Sequence, residues 1–119
     1  MGWLSKLFGS AGAARKGPPV QEVEVHFEYG STNYQHLYAL EDLIQHAIAD
    51  ARVGKYEGHE TSPDGSDARL FAFGPDAEAI YRAMAPILAG SPLTREASIT
   101  LWYGEKKWRT PRRVIQLPE

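Results

Sequence analysis

Apolar and polar residues alternate with two different periods along this chain, and the changes of period divide residues 20 to 104 into six elements. A period of two is typical of half-buried strands, and the first such stretch places Glu24, His26 and Glu28 opposite a face of valines and aromatics. The pattern therefore predicts that these three residues share the face turned away from the core. The segments with strand character are residues 23–29, 55–61, 69–73 and 97–103.

Two other segments repeat their apolar residues every three or four positions, which is typical of amphipathic helices. The first runs from Leu37 to Ala51, after a capping-box pattern at Thr32 to Gln35, and we expect Gly54 to end it. The second follows Pro75 and carries Asp76 near its start, where an acid is favourable. The first predicted helix therefore lies between strands one and two, and the second lies between strands three and four.

The element order is strand, helix, strand, strand, helix, strand, which predicts an α+β fold of the ferredoxin-like βαββαβ type. In this two-layer sandwich both helices cover one face of an antiparallel sheet of order 4-1-3-2, and the other face is open. The tail RRVIQLP, residues 112–118, is too apolar to be free and is predicted to add a short fifth strand or to pack as an extended segment beside strand four. We therefore expect an arm at residues 1–19, a single domain at residues 20–119 and an extended C-terminal segment.

Charge is distributed unevenly along the chain. Residues 1–19 hold 3 bases and no acid, residues 20–104 hold 13 acids against 5 bases, and residues 105–119 hold 5 bases against 2 acids. An acidic body repels phosphate backbones and anionic lipid, so such partners would have to contact the basic ends. The chain has no cysteine, which excludes disulfides, thiolate metal sites and a cysteine nucleophile.

The arm carries one amphipathic stretch, with Trp3, Leu4, Leu7 and Phe8 on one side. A helix this short needs a surface to lie on, and we expect that surface to be its own domain, with an interfacial membrane anchor as the alternative. No apolar run has the length of a membrane span, so the expected location is the cytoplasm.

Several short motifs stand out in the chain: VGKYEGHE at residues 53–60, FGPDAEAIY at residues 73–81, APIL at residues 85–88 and WYG at residues 102–104. They resemble motifs of a family of small bacterial ferredoxin-like proteins. The resemblance covers about residues 37–104 and implies the fold, without an activity or site residues. The basic arm and the SPDGSD loop, residues 62–67, depart from the family pattern.

The open sheet face is the first candidate site. Trp102 and Thr100 should lie on it beside Glu24, His26 and Glu28, and an exposed tryptophan is a typical interface anchor. These residues predict a non-enzymatic module that binds another protein or a second copy of itself. A metal site is not expected, because residues two apart on a strand are about 6.6 Å apart and cannot converge on one ion. No cofactor motif is present.

Two alternatives remain open. Tyr56, Glu57, His59 and Glu60 surround a glycine and could form a small-molecule or hydrolytic site if they line a concave pocket. The segment from Lys106 to Arg113 combines cations with Trp108 and could contact single-stranded nucleic acid, although the acids on the first strand oppose that. No catalytic residue is assigned, and the sequence favours a binding role over an enzyme.

Overall fold

The computed structural model describes residues 20–119. Residues 1–19, with the predicted arm and its Trp3, Leu4, Leu7 and Phe8, lie outside the described residues. The described chain is an α+β structure in which two helices cover a five-stranded antiparallel sheet. The strands are β1 (Gln21–Glu28), β2 (Lys55–Thr61), β3 (Asp67–Gly74), β4 (Ser98–Trp102) and β5 (Arg112–Gln116), and the helices are α1 (Gln35–Ala51) and α2 (Ala77–Gly90).

The sheet has the order β2-β3-β1-β4-β5, and every neighbouring pair is antiparallel. The predicted sheet order, 4-1-3-2, contained four strands, whereas the sheet has five. The neighbours among the first four strands are those predicted, and β5 lies at the edge of β4, where the apolar tail was expected. β1 begins at Gln21, two residues before the predicted start, so that Glu22 also belongs to the strand.

The core lies between the sheet and the two helices. The inward residues of the strands are buried as the alternation predicted, and the buried positions of α1 and α2 follow the predicted stripes. Burying one such aliphatic side chain contributes roughly 1.5–3 kcal/mol, so this layer dominates the stability of the domain. The fully buried large side chains are Val23, Val25, Leu37, Ile44, Ile48, Leu70, Ile80, Met84, Leu88, Ile99 and Leu101.

Both ends of α1 differ from the sequence expectation. The capping box is not formed, because the residue before the helix is Tyr34 and it makes no side-chain cap. At the other end Arg52, with φ of 56°, takes the left-handed conformation that was expected of a glycine. Gly54 has a different role: a Cβ there would lie 2.3 Å from Phe73 O, so the glycine lets the chain pass close to the end of β3.

The turn between β2 and β3 packs against the loop that follows β1. Gly65 has φ of +75°, and its carbonyl accepts hydrogen bonds from Gly30 N (2.8 Å) and Ser31 N (3.2 Å). The Asp64 carboxylate organises this turn, because it accepts hydrogen bonds from Ser66 and Ser62. These hydrogen bonds lower the pKa of the carboxyl to about 2. The two loops thus form one unit at the end of the sheet where β1 finishes.

Candidate functional site

Residues directly opposite each other in an antiparallel pair share a face, so the register shows which side chains lie on the open face. Glu24 lies between Phe71 of β3 and Thr100 of β4, and Glu22 lies between Phe73 and Trp102. The predicted grouping of Glu24, His26, Thr100 and Trp102 on one face is therefore present. β5 continues the rows, with Val114 opposite Thr100 and Arg112 opposite Trp102.

The face that was expected to be open is covered at Glu24 by the loop between β4 and β5. Lys106 from this loop donates a hydrogen bond to Glu24 Oε1 (2.9 Å), and its Nζ lies 2.7 Å from Glu22 Oε2 as an ion pair without hydrogen-bond alignment. The same ammonium lies 5.4 Å from the ring centroid of Phe71 and 5.3 Å from that of Trp102. We call this arrangement the lysine clamp.

The clamp places charges in a partly dehydrated site, and their pKa values shift accordingly. Burial raises the pKa of Glu22 above its ordinary value, and the nearby Lys106 offsets this only in part. Burial acts in the same direction on Glu24, but Lys106 and Arg69 outweigh it and lower the pKa of that carboxyl. Arg69 Nη1 is 2.5 Å from Glu24 Oε2. The face therefore holds Glu24 as a carboxylate with two cationic partners.

Trp102 points to the open face as predicted, but it is not left in water. The Arg112 guanidinium lies 4.2 Å from the Trp102 ring centroid, and Lys106 approaches the same indole. A cation over an aromatic face is attracted by its quadrupole, so these contacts are favourable in themselves. The indole is therefore covered by its own chain. The exposed large apolar side chains near this end of the sheet are instead Val114, 61% exposed, and Trp108, 79% exposed.

β5 is an edge strand, and its unpaired backbone groups can be assigned. Tyr103 N donates to Pro111 O (3.1 Å), and Leu117 N donates to Ala97 O (2.9 Å). Backbone groups of alternate residues point to the same side of a strand, so Arg112, Val114 and Gln116 direct theirs away from β4. At the other edge, a register shift between Tyr56 and Gly58 interrupts β2, which blunts that edge for further pairing.

Three cations of the basic segment have partners in the strands and helices of the domain, and Lys107 lies 3.8 Å from Glu105 within the loop. Lys106 forms the clamp, Arg112 stacks on Trp102 and donates to Trp108 O (2.6 Å), and Arg113 Nη1 donates to Glu78 Oε1 (2.9 Å). Hydrogen bonds from Tyr103 and Arg113 lower the pKa of Glu78. The continuous basic and aromatic strip that single-stranded nucleic acid would require is therefore reduced to the tip of the loop.

The cluster expected around Gly58 is divided by the sheet. Tyr56 and His59 face the helices, because they lie opposite the buried Ala72 and Leu70, whereas Glu60 lies opposite Arg69 on the other face. Glu57 lies at the irregularity of β2 and lines a shallow cleft beside α1. Glu57, His59 and Glu60 therefore do not converge.

Glu41 of α1 brings Tyr56 and His59 together. Tyr56 Oη donates to Glu41 Oε2 (2.5 Å), and His59 Nδ1 lies 2.9 Å from Glu41 Oε1. Burial, with the adjacent carboxylate, raises the pKa of the Tyr56 phenol. The Glu41 side chain is only 13% exposed, so the network fastens α1 to the edge strand β2.

His26 and Glu28 lie toward the other end of β1. His26 Nε2 lies 2.6 Å from Asp67 Oδ1, so this imidazole has a carboxylate partner across the strand pair.

Among residues 20–119 no group of three or more histidine and acidic side chains is placed to hold a metal ion. Across the same residues, no helix is both long enough and apolar enough to cross a membrane.

No protein-family model, no curated protein and no solved structure matches this chain. The resemblance of residues 37–104 to small bacterial ferredoxin-like proteins stays a prediction.

Sequence reasoning missed Glu22, Arg69, Phe71 and Lys106 as partners on the open face. One signal was available: alternation around the buried Leu70 places Arg69 and Phe71 outward, and an outward phenylalanine implies a cover. Which part of the chain supplies that cover could not be deduced, because the clamp joins residues 82 positions apart. Glu41 was missed for the same reason, since its acceptor role depends on how α1 packs on β2.

Proposed function

We propose that this protein is a non-enzymatic interaction module that dimerises through the free edge of β5, with Val114 of the open face at the centre of the contact. The observation that carries the proposal is an exposed apolar side chain on an edge strand whose outward backbone groups are unpaired within the sheet of residues 20–119. An edge of this kind is a template for pairing with another strand. The partner we propose is a second copy of the chain.

The register of such a dimer follows from the outward positions. If two β5 strands pair antiparallel about Val114, the two Val114 residues form a hydrogen-bonded pair, and Arg112 of each copy lies opposite Gln116 of the other. No arginine lies opposite another arginine in this register. The dimer therefore avoids the repulsion between like charges on opposite residues. The open faces of the two copies then form one surface, with the two Val114 side chains adjacent.

Cations on an edge strand usually discourage pairing, and β5 carries two of them. Here both have internal partners, because Arg112 stacks on Trp102 and Arg113 pairs with Glu78. The charge of Arg113 is thus compensated by Glu78, and the Arg112 guanidinium is held against its own open face. The lysine clamp contributes indirectly, since it holds the loop from which β5 begins.

The experiment is sedimentation equilibrium of the full chain against the Val114→Pro variant. Proline removes the outward N–H of Val114, which has no role in the β4–β5 ladder, and is tolerated on an edge strand. We expect a concentration-dependent dimer for the parent and a monomer for the variant, with an unchanged circular dichroism spectrum. A parent that stays monomeric at high concentration would contradict the proposal.

Two further variants separate loss of pairing from loss of fold. Val114→Thr keeps the N–H and the branched shape, so its dimer should persist. Val114→Lys keeps the N–H and places two ammonium groups opposite each other at the symmetry axis, so its dimer should be lost. Equal dimerisation of all variants would place the contact elsewhere, for example on the Thr100 and Trp102 part of the open face.

A second candidate function rests on the Glu41 and His59 pair. The carboxylate orients the imidazole through Nδ1, which is how a histidine is prepared as a general base, and Glu57 lines the neighbouring cleft. The test is hydrolysis of p-nitrophenyl acetate by the parent and by His59→Gln. A rate above that of free imidazole that is lost in the variant supports a hydrolytic site, and equal rates exclude it.

The finer classification belongs to the same proposal. We class the domain as ferredoxin-like, with β5 as an addition to the βαββαβ order, and we expect a bacterial, cytoplasmic protein. The neighbours β4-β1-β3-β2 support the classification, and the two helices on one face agree with it. Fractionation of cells that express a tagged chain tests the location.

A further inference from the structure

A cleft of about 650 Å³ lies at the end of the sheet where β1 finishes and β4 begins. On the open face it is bordered by a row of opposite residues, His26 of β1, Ser98 of β4 and Gln116 of β5. The segment between α2 and β4 forms another wall, with the apolar side chains of Pro92 and Leu93. The cleft therefore reaches the free edge of β5 at Gln116, and a strand that pairs with β5 arrives at its mouth.

In the proposed dimer, the β4–β5 loop of the second copy, residues 103–111, comes to this cleft. Arg112 of one copy lies opposite Gln116 of the other, on the same face of the joined sheet, and opposite residues have Cβ atoms roughly 5 Å apart. Arg112 Nη2 donates to Trp108 O (2.6 Å), so the backbone of Trp108 lies close to the Arg112 side chain. Pairing of the two β5 strands thus brings Trp108 of each copy beside the cleft of the other.

Trp108 has the properties of an interface anchor. Its side chain is 79% exposed, the largest exposure among the exposed large apolar side chains of residues 20–119. The Arg109 guanidinium lies 4.7 Å from the Trp108 ring centroid, so the two side chains present one cationic and aromatic surface. Tryptophan and arginine are enriched among the residues that contribute most to binding between proteins.

The charges of the loop leave one cation for a partner. Lys106 belongs to the lysine clamp, and Lys107 Nζ lies 3.8 Å from Glu105 Oε2. Arg109 is exposed and contacts the Trp108 ring, but it forms no ion pair within residues 20–119. Arg109 is therefore the cation of the loop that can meet an acid of a second copy.

Acids outnumber bases at the cleft. Glu28 and Glu96 line it with one base, Arg95, and the remaining ionisable side chain, His26, is paired with Asp67. In the part of the chain that the structure describes, neither Glu28 nor Glu96 forms an ion pair, and both are exposed. The cleft thus carries an excess of negative charge that its own domain does not compensate.

Glu96 is the acid of the cleft closest to the incoming loop. Gln116 Nε2 donates to Glu96 O (2.9 Å), so Glu96 adjoins the residue that faces Arg112 of the second copy. Glu28 lies farther from the edge, because β4 and β5 separate β1 from the second copy.

We infer that the β4–β5 loop of each copy docks in the cleft of the other copy. The Trp108 ring packs against Pro92 and Leu93. The Arg109 guanidinium pairs with the Glu96 carboxylate. The inference rests on the proposed β5 dimer and names its second contact. A specific interface between proteins buries roughly 1,200–2,000 Å², of which two paired strands of five residues cover only a part. The two-fold symmetry repeats the loop contact on the other side of the strand pair, so each dimer contains it twice.

The first test is a charge exchange between Arg109 and Glu96, measured by sedimentation equilibrium of the full chain. Arg109→Glu and Glu96→Arg should each weaken the dimer at least about fivefold, the ratio that corresponds to about 1 kcal/mol. Each single variant brings like charges together, whereas the double variant restores opposite charges and should recover most of the parent's affinity. Asp50→Arg changes the net charge as Glu96→Arg does, at an exposed position of α1, and should leave the dimer unchanged.

Trp108→Ser should weaken the dimer by a similar factor, because the ring loses its contact with the cleft. At a concentration at which the parent is monomeric, the same variant should unfold with the parent, since its ring then lies in solvent. A loss of dimer without a loss of monomer stability is the signature of an interface residue.

Cross-linking locates the contact, since the chain has no cysteine of its own. Arg109→Cys and Glu96→Cys are treated with a short bismaleimide at high concentration, each alone and as an equimolar mixture. We expect a covalent dimer in the mixture only, because the two-fold axis at Val114 keeps identical positions of the two copies apart. Val114→Pro in both chains should abolish it.

Two results would overturn the inference and leave the strand-paired dimer standing. The first is loop variants that dimerise like the parent although Val114→Pro does not, and the second is a mixture without covalent dimer although the parent sediments as one. A double charge variant that dimerises no better than the single variants would overturn the pairing of Arg109 with Glu96. A parent that stays monomeric at high concentration would instead refute the proposed function, and this inference with it.

Discussion

Lys106 Nζ donates a hydrogen bond of 2.9 Å to Glu24 Oε1, although the two residues are 82 positions apart in the chain. This contact decides the character of the open face. Lys106 covers the acidic residues of β1 and so shields them from solvent. The same contact fixes the position of the loop that carries Trp108 and leads to β5. The position of the proposed dimer edge depends on where that loop lies.

Replacing Lys106 by methionine should destabilise the domain by about 2 kcal/mol. The loss leaves two poorly hydrated carboxylates close together, with side-chain exposures of 9% for Glu22 and 11% for Glu24, and a partner left behind in a dehydrated pair is costly. Urea unfolding measures the difference. The matched control is Lys107→Met, which should change stability by less than about 0.5 kcal/mol, because Lys107 is exposed. Equal effects of the two variants would refute a specific clamp.

The contribution of the clamp should disappear at alkaline pH. Burial alone would lower the pKa of the Lys106 ammonium, but its contacts with Glu22 and Glu24 outweigh burial and raise it. A pKa that is raised on folding gives stability that is fully present below the unfolded pKa and is lost as the pH rises through the folded one. The stability difference between the parent and Lys106→Met should therefore shrink above the ordinary pKa range of lysine. A difference that stays constant in urea titrations across this range would contradict the assignment.

Trp102→Ser and Trp108→Ser should differ sharply in stability. The Trp102 ring contacts both the Arg112 guanidinium and the Lys106 ammonium, so its loss should cost about 2 kcal/mol and not the roughly 0.5 kcal/mol of a surface site. Trp108 is 79% exposed and should stay within that surface range. Thermal unfolding of both variants provides the comparison, and a near-neutral Trp102→Ser would mean that the indole is free.

Glu41→Gln should lower the free energy of unfolding by about 1–2 kcal/mol, because the amide cannot accept hydrogen bonds from both Tyr56 and His59. Asp42→Asn, at the next and exposed position, is the control and should be almost neutral. A double-mutant cycle with His59→Gln should give a coupling above about 0.5 kcal/mol. Additive effects would show that the two side chains do not form one network.

Gly65→Ala should cost more than about 3 kcal/mol, and Gly30→Ala about 1–2 kcal/mol. Both glycines have a positive φ, +75° for Gly65 and +81° for Gly30, so the backbone strain is similar. A Cβ on Gly65 would lie 2.0 Å from Ser31 O, whereas a Cβ on Gly30 meets nothing within 4 Å. Chemical denaturation of the two variants isolates the steric part, and equal losses would show that the two loops are not in contact.

The positions of the apolar residues along the chain were enough to predict the elements and their buried faces. The alternation around Val25 and Ile99 and the helical spacing of Leu37, Ile44 and Met84 predicted positions that are buried in the structure, because burial of apolar residues follows the period of the local backbone. The apolar residues of the tail likewise predicted a short strand or an extended segment beside β4, and β5 is found there. Helix ends were less predictable, since Arg52 adopts the conformation expected of a glycine and Tyr34 replaces the expected cap.

The partners of the polar residues, in contrast, follow from contacts that form only in the folded domain. Alternation placed Glu24 and Trp102 on one face, but only the return of the loop after β4 brought Lys106 onto Glu24 and Arg112 onto Trp102. Packing of α1 against β2 gave Tyr56 and His59 their common partner Glu41. Local periodicity records which side of an element meets the core, whereas the partners of a charge depend on contacts between segments that are far apart in the chain.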